Sequence, residues 1–183
     1  MPLISSSCHA VRALFVMIAL MASPLAAQVS GTSTPATPVS AAAQLDPENT
    51  LYLDLSTGGR VTIKLFPNLA PAHIERIKTL VRRGFYNGLI FHRVIPGFMA
   101  QTGDPTGTGT GDSDLPDLKA EFNDMPHLRG VVSMARTEES FDTANSQFFI
   151  CFQPRFHLDH KYTAFGRVVS GMQFVDAIAP GVP

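Results

Sequence analysis

The chain has 183 residues, 45% hydrophobic and 16% charged. That is enough apolar material to build one ordinary domain around a core, and too much for a disordered chain. A formal net charge of −1 supplies no basic patch for nucleic acid, and there are only two cysteines, Cys8 and Cys151.

In chain order, residues 1–13 carry one cation, Arg12. The apolar run ALFVMIALMA (13–22) follows, and then the small-residue stretch SPLAAQ. This order predicts an export signal over residues 1–27, cut after Ala27, and a periplasmic or secreted protein. The apolar run is shorter than the ~20 residues that span a bilayer; an uncleaved anchor is the alternative. Cleavage would also remove Cys8, leaving Cys151 without a disulfide partner. Cys151 lies in FFICF, so it is expected to be a small core residue, not a reactive thiol. Residues 28–48 are rich in Ser, Thr, Pro and Ala and predict a flexible tether. The folded domain is expected over 49–183.

TLYLDLS (50–56) and RVTIKLF (60–66) alternate apolar and polar residues around TGG, a hairpin. Pro67 and Pro71 break the sheet. Residues 70–83 then place Ile74, Ile77, Leu80 and Val81 on one helical face, with Gly84 as the stop. Arg82 and Arg83 suit the negative end of that helix. LIFHRVI (89–95) and GFMAQT (97–102) are predicted strands on either side of Pro96. After a Gly/Thr/Asp/Pro stretch (103–118) come the strand GVVSMA (130–135) and the loop RTEESFDTANS (136–146). QFFICF (147–152) is apolar throughout, a strand covered on both faces. TAFGRVV (163–169) is a further strand, and GMQFVDAIA (171–179) a short helix with Met172, Val175 and Ile178 on one face. Many short strands with only two helices predict a mostly-β closed barrel, the helices covering its open ends.

The loop GDPTGTGTG lacks the Lys-Ser/Thr pair and the following helix of a phosphate cradle. His157 and His160, in HLDH, have no third ligand at a metal-site spacing and are expected to be exposed. His73 and His92 are isolated. There is no G-x-S-x-G, Ser146 has no base nearby in sequence, and Glu138 and Glu139 are expected to be solvated. Arg93 is the residue that does not fit its surroundings. In an extended strand it shares a face with Phe91 and Ile95, while His92 and Val94 point the other way. On these residues alone it is either a cation snorkelling at a rim or half of an ion pair.

FHRVIPGFMAQTGD (91–104), GVVSMAR (130–136), NSQFFI (145–150) and LDHKYTAFGRV (158–168), with the helix residues APAHIERIKTLVRRGFYNG, resemble the cyclophilin family of peptidyl-prolyl cis-trans isomerases over residues 50–180. The resemblance implies an eight-stranded antiparallel barrel capped by two helices. By motif it puts catalytic roles on Arg93 and Gln101. It puts substrate contacts on Phe98, Met99, Ala135, Arg136, Gln147, Phe149, Leu158 and Tyr162. Two positions depart from the family: Tyr162 replaces a pocket histidine, and His157 replaces a tryptophan, which implies weak cyclosporin binding. The family also continues past the last helix into a final strand. This sequence ends at Pro183, so either a barrel short of one strand or a longer chain is expected.

The implied activity is rotation about X–Pro bonds in proline-containing polypeptides, assisting the folding of exported proteins. The implied protein is a monomer that binds neither nucleic acid nor metal. Rotation breaks no covalent bond, so no nucleophile, metal or cofactor is expected. Two other readings remain: a proline-peptide binding module without useful catalysis, and a small hydrolase or metal enzyme built on His157 and His160.

Overall fold

The computed structural model describes residues 45–183. The expected signal and most of the expected tether lie outside the described residues. The elements are β1 (Thr50–Leu55), β2 (Gly59–Leu65), α1 (Pro71–Arg82), β3 (Arg93–Ile95), β4 (Met99–Thr102), β5 (Val131–Met134), β6 (Phe148–Cys151), β7 (Ala164–Ser170) and α2 (Met172–Asp176). All strand pairs are antiparallel, in the spatial order β1-β2-β7-β5-β6-β4-β3.

The expected closed eight-stranded barrel is a seven-stranded half-barrel among the described residues, with β1 and β3 at its edges. One rung does form against the β3 edge: Val94 and Gly181 exchange both backbone hydrogen bonds, at 2.6 and 3.1 Å. Pro180 and Pro183 flank that rung, and neither has an N–H to extend a ladder.

The strands leading to the site have two apolar faces. Val94, Ala100, Val132, Met134, Phe148 and Ile150 point into the main core, with Ile63, Phe165, Ile74 and Ile77 of α1, and Val175 of α2. The alternate residues Met99, Phe149 and Cys151 point outward into a second cluster with Leu158, Ile95, Phe98, Ala135 and Tyr162. This is why QFFICF carries no polar alternation: both of its faces are covered. Cys151 is fully buried in that second cluster, and burial pushes its thiol up to about 12.

Helix α1 corrects one expectation. Its buried stripe is His73, Ile74, Arg76, Ile77 and Leu80, while Val81 is 40% exposed. Positions 73, 76, 77 and 80 follow the i, i+3, i+4, i+7 rule, but two of them are polar. The apolar residues alone therefore misplace the centre of the stripe. Arg76 is tolerated there because it donates to the carbonyls of Asn145 and Pro116, at 3.3 and 2.5 Å. The N-cap residue, Ala70, offers no capping side chain. Glu121, from the long β4–β5 connection, does this work instead. Its carboxylate accepts from the amides of Ala72 and His73, each at 3.1 Å, and from His73 Nδ1 at 2.7 Å. A negative charge at a helix N-terminus is stabilising.

Candidate active site

Strand register assembles the site. Arg93 of β3 pairs with Gln101 of β4, Gln101 with Phe149 of β6, and Phe149 with Ser133 of β5. Residues paired directly across antiparallel strands share a face, so these four form one row on the outer side of the sheet. The next row holds Ile95, Met99 and Cys151. Over these rows lies a cavity of about 250 Å³ lined by Arg93, Phe98, Met99, Gln101, Ala135, Arg136, Glu138, Phe149, Leu158 and Tyr162.

All the residues named from the resemblance except Gln147 line that cavity. Gln147 is buried behind it. Its Nε2 donates to the carbonyls of Gly109 and Gly111, at 3.2 and 2.9 Å, and its Oε1 accepts from Gln101 Nε2 at 2.8 Å. Gln101 Oε1 in turn accepts from Arg93 Nη1 at 3.4 Å, and Met99 Sδ lies 3.9 Å from the same nitrogen. Arg93 is half-buried, and no carboxylate pairs with it among the described residues. The expected strand face also ends early: β3 begins at Arg93, and Phe91 packs with Val94 in the main core.

The Gly/Thr loop is the far end of this relay. Asp104 is 1% exposed and accepts from the Thr106 amide and hydroxyl at 2.6 and 2.7 Å, and from the Gly109 amide at 2.5 Å. Burial works to raise its pKa, but these bonds and one from the Gly111 amide outweigh it and hold Asp104 at about 2. The loop amides that a phosphate would need are thus turned onto an internal carboxylate. Gly103 permits the close entry: its φ is +95°, and a Cβ there would sit 2.4 Å from the Ser146 carbonyl oxygen.

The cavity's other wall is fastened by arginines. Arg136 donates from Nε to Lys161 O at 3.0 Å and from Nη1 to Thr137 O at 2.7 Å. Its guanidinium lies 4.6 Å from the ring centroids of both Phe141 and Tyr162. This side chain ties the 136–143 loop to the turn before β7. Arg155 donates to Gly97 O and lies 5.3 Å from the Phe98 ring. His157 and His160 are exposed, and the ring of His157 is 6.3 Å from that of Phe98. Among the described residues, no three His, Cys, Asp or Glu side chains gather as metal ligands.

Sequence reading missed His127, Asp159 and Arg155, and it left Glu138 as merely solvated although it lines the cavity. His127 is 1% exposed and joins Asp159 and Ser133, each at 2.7 Å. Asp159 lies inside the HLDH stretch, but its partner is 32 residues away, and no local spacing reveals it.

Comparison with known proteins agrees with this geometry. Residues 52–182 match the family model described as cyclophilin type peptidyl-prolyl cis-trans isomerase/CLD. A probable peptidyl-prolyl cis-trans isomerase of Brucella suis is 51% identical over 154 residues, covering 78% of each chain. Peptidyl-prolyl cis-trans isomerase B of Bacillus subtilis is 39% identical over 130 residues, covering 71% of this chain and 90% of its own. Among solved structures, the cyclophilin AquaCyp293 from Hirschia baltica superposes with a TM-score of 0.68 at 30% identity, covering 76% of this chain and 70% of its own. A Cryptosporidium parvum cyclophilin-type isomerase, solved in the presence of the dipeptide Ala-Pro, gives 0.67 at 29% identity, covering 70% and 84%. The chain belongs to the cyclophilin-type peptidyl-prolyl cis-trans isomerase family. It is an isomerase of X–Pro peptide bonds.

Proposed function

We propose that the X–Pro bond rotates in the cavity over β4 and β6, with Arg93 stabilising the twisted amide. Unaided rotation takes tens to hundreds of seconds, because amide resonance sets a barrier of ~18–20 kcal/mol. Bringing ~100 s down to ~1 ms requires a factor of ~10⁵, about 7 kcal/mol.

A twisted amide differs from a planar one in two ways. Its nitrogen regains a lone pair, and its carbonyl loses dipole. Phe98, Met99, Phe149 and Leu158 offer the proline ring an apolar seat that favours the less polar twisted state. Arg93 donates to the nitrogen lone pair, a bond available only once resonance is lost, and such differential binding is what lowers a barrier. A hydrogen bond from a charged group contributes ~1.5–3 kcal/mol, so desolvation and a grip on the flanking chain supply the rest. Gln101, held in orientation by Gln147, and the main chain at Ala135 and Arg136 are the gripping groups.

The observation that carries this reading is Arg93 itself. It stands on the same row as Phe149, without a carboxylate partner among the described residues and with one long bond to Gln101. Arg93→Ala is expected to lose about 10- to 100-fold in kcat/KM on an X–Pro peptide, the size of one charged hydrogen bond. Arg93→Lys recovers only part, lacking the planar fork. A full rate in Arg93→Ala overturns the assignment.

The order of residues 1–27 supports export and a role in folding exported, proline-containing polypeptides; a chain isolated from cells that begins at Gln28 is the expected result. An exposed histidine at position 157, where the family resemblance puts a tryptophan, supports weak cyclosporin binding.

A further inference from the structure

We propose that His127 is a positioning residue for this pocket: its buried imidazole, held between Asp159 and Ser133, backs Phe149 and pins the turn that carries Leu158. The inference rests on the pocket assignment above.

The geometry satisfies every polar atom of the ring. Nδ1 lies 2.7 Å from Asp159 Oδ1, and Nε2 lies 2.7 Å from Ser133 Oγ. With Asp159 ionised, Nδ1 carries the proton and Nε2 accepts from the serine hydroxyl. A neutral imidazole has one donor and one acceptor, and both are used. The order Ser-His-Asp is also that of a hydrolase triad. Ser133, however, is paired directly beside Phe149 and is fully buried, closed off from a substrate in the cavity.

His127 meets the pocket through its ring and its main chain. Its ring stacks on Phe149, with centroids 6.3 Å apart and planes 19° from parallel. Tyr162 meets Phe149 edge-on at 5.6 Å, so the phenyl ring is held between two neighbours. The His127 amide donates to Asp159 Oδ1 at 2.9 Å, and its carbonyl accepts from the Arg155 amide at 2.7 Å. These bonds bracket Leu158. The carbonyl of Leu158 then accepts from the amides of Lys161 and Tyr162, at 3.0 and 3.2 Å. The imidazole itself reaches Phe149 by stacking and the turn through Asp159, while the main chain of His127 adds the bonds to Asp159 and Arg155.

Proton uptake by that ring would loosen the arrangement. The titratable groups facing it are Asp159 and, more distantly, His157, both from the 155–160 turn. His160 and Arg155 act on the same cluster through Asp159 and Cys151. Cys151, on β6, stays a neutral thiol, and β5 contributes only the Ser133 hydroxyl. Burial lowers the His127 pKa, and the Asp159 carboxylate raises it by less. An imidazolium here would be a cation in a desolvated site, with Nε2 no longer able to accept from Ser133.

The test is cis-trans exchange of an X–Pro peptide, followed by NMR with substrate titration from about pH 5 to about pH 8, where histidine changes charge. His127→Phe keeps a flat ring but neither nitrogen. It is expected to lose about tenfold in kcat/KM, mainly through KM, and to flatten the fall of activity toward acid. Asp159→Asn removes the anion that favours the imidazolium, so the acid limb moves to lower pH. A merely structural residue would not move that limb, and His73→Phe, at the other buried histidine–carboxylate pair, is expected to keep the parental KM and pH profile. Should His127→Phe not fold, the Asp159→Asn pH profile decides. Parental KM and pH profile in the folded variants, with Arg93→Ala impaired, overturns the positioning role and leaves the pocket assignment standing. A full rate in Arg93→Ala overturns the pocket assignment, and this inference with it.

Discussion

His73 and His127 are both buried, and each meets a carboxylate oxygen through Nδ1 at 2.7 Å. Each also sends its own amide proton to that same oxygen, at 3.1 and 2.9 Å. They differ in what the carboxylate serves and in what the far nitrogen meets. Glu121 caps the start of α1 through the Ala72 amide, whereas Asp159 follows Leu158 in the cavity wall. His73 Nε2 is buried without a partner among the described residues, while His127 Nε2 is bonded to Ser133. A buried polar atom left unsatisfied costs ~1–3 kcal/mol. The same local chemistry therefore yields an anchor with one loose end at the helix and a closed, mutually reinforcing network at the pocket.

The largest expected difference is in stability on truncation. His127→Ala leaves a cavity, the Ser133 hydroxyl and one edge of Asp159 without their partner, a loss of about 3–4 kcal/mol. His73→Ala leaves a similar cavity but also removes an orphaned nitrogen, so about 2–3 kcal/mol is expected. Denaturant unfolding of the two variants checks the order. A larger loss at His73 would break the contrast between the two pairs.

Acid should weaken both pairs in the same direction. The folded pKa values of His73 and His127 are lowered by burial, only partly offset by their carboxylates, and burial lowers that of His92 as well. The unfolded chain therefore takes up these protons first, near pH ~6.5. Stability is intact above that value and falls as pH drops below it. Burial works to raise the pKa values of Glu121 and Asp159, but hydrogen bonds from the histidine rings and amides leave both below the ordinary carboxylate range. Their contribution is present above the unfolded value of ~4 and disappears as pH falls through the lower folded one. The midpoint of thermal unfolding is expected to decline between about pH 7 and about pH 5, before the carboxylates titrate, and to decline less in His127→Asn. An unchanged decline in that variant would assign the acid sensitivity to His73 and His92 alone.

The two pairs also mark where the sequence was legible. Period-two alternation placed Arg93 and Ile95 on one face of β3, because the pleat forces it. Nine of the ten residues named from the motif blocks line one cavity. Three features needed the fold. Barrel closure depends on pairing between distant edges, and among the described residues only Val94 and Gly181 meet there. The stripe of α1 includes His73 and Arg76, whose burial depends on acceptors 48 and 69 residues away. His127 carries no local pattern, since its partners arrive from the next strand and from the turn at Asp159.

The smallest expected effect separates the two carboxylates' surroundings. His160, next to Asp159, has φ of 56°, in the left-handed region that non-glycine residues rarely adopt, and no comparable residue flanks Glu121. Its side chain is exposed, and its nearest charged partner, Asp124, is 3.7 Å away and fully solvated, so little is lost by removing it. The Asp159 bonds to His127 and the Leu158 carbonyl bonds to the Lys161 and Tyr162 amides fix the chain on either side of this residue. Glycine adopts that φ without the Cβ clash but is freer when unfolded, so His160→Gly should gain no more than about 0.5–1 kcal/mol. A measured loss of stability in His160→Gly would mean that the imidazole, and not the backbone path, holds the turn, and Asp159 would then share its anchoring role with a second histidine.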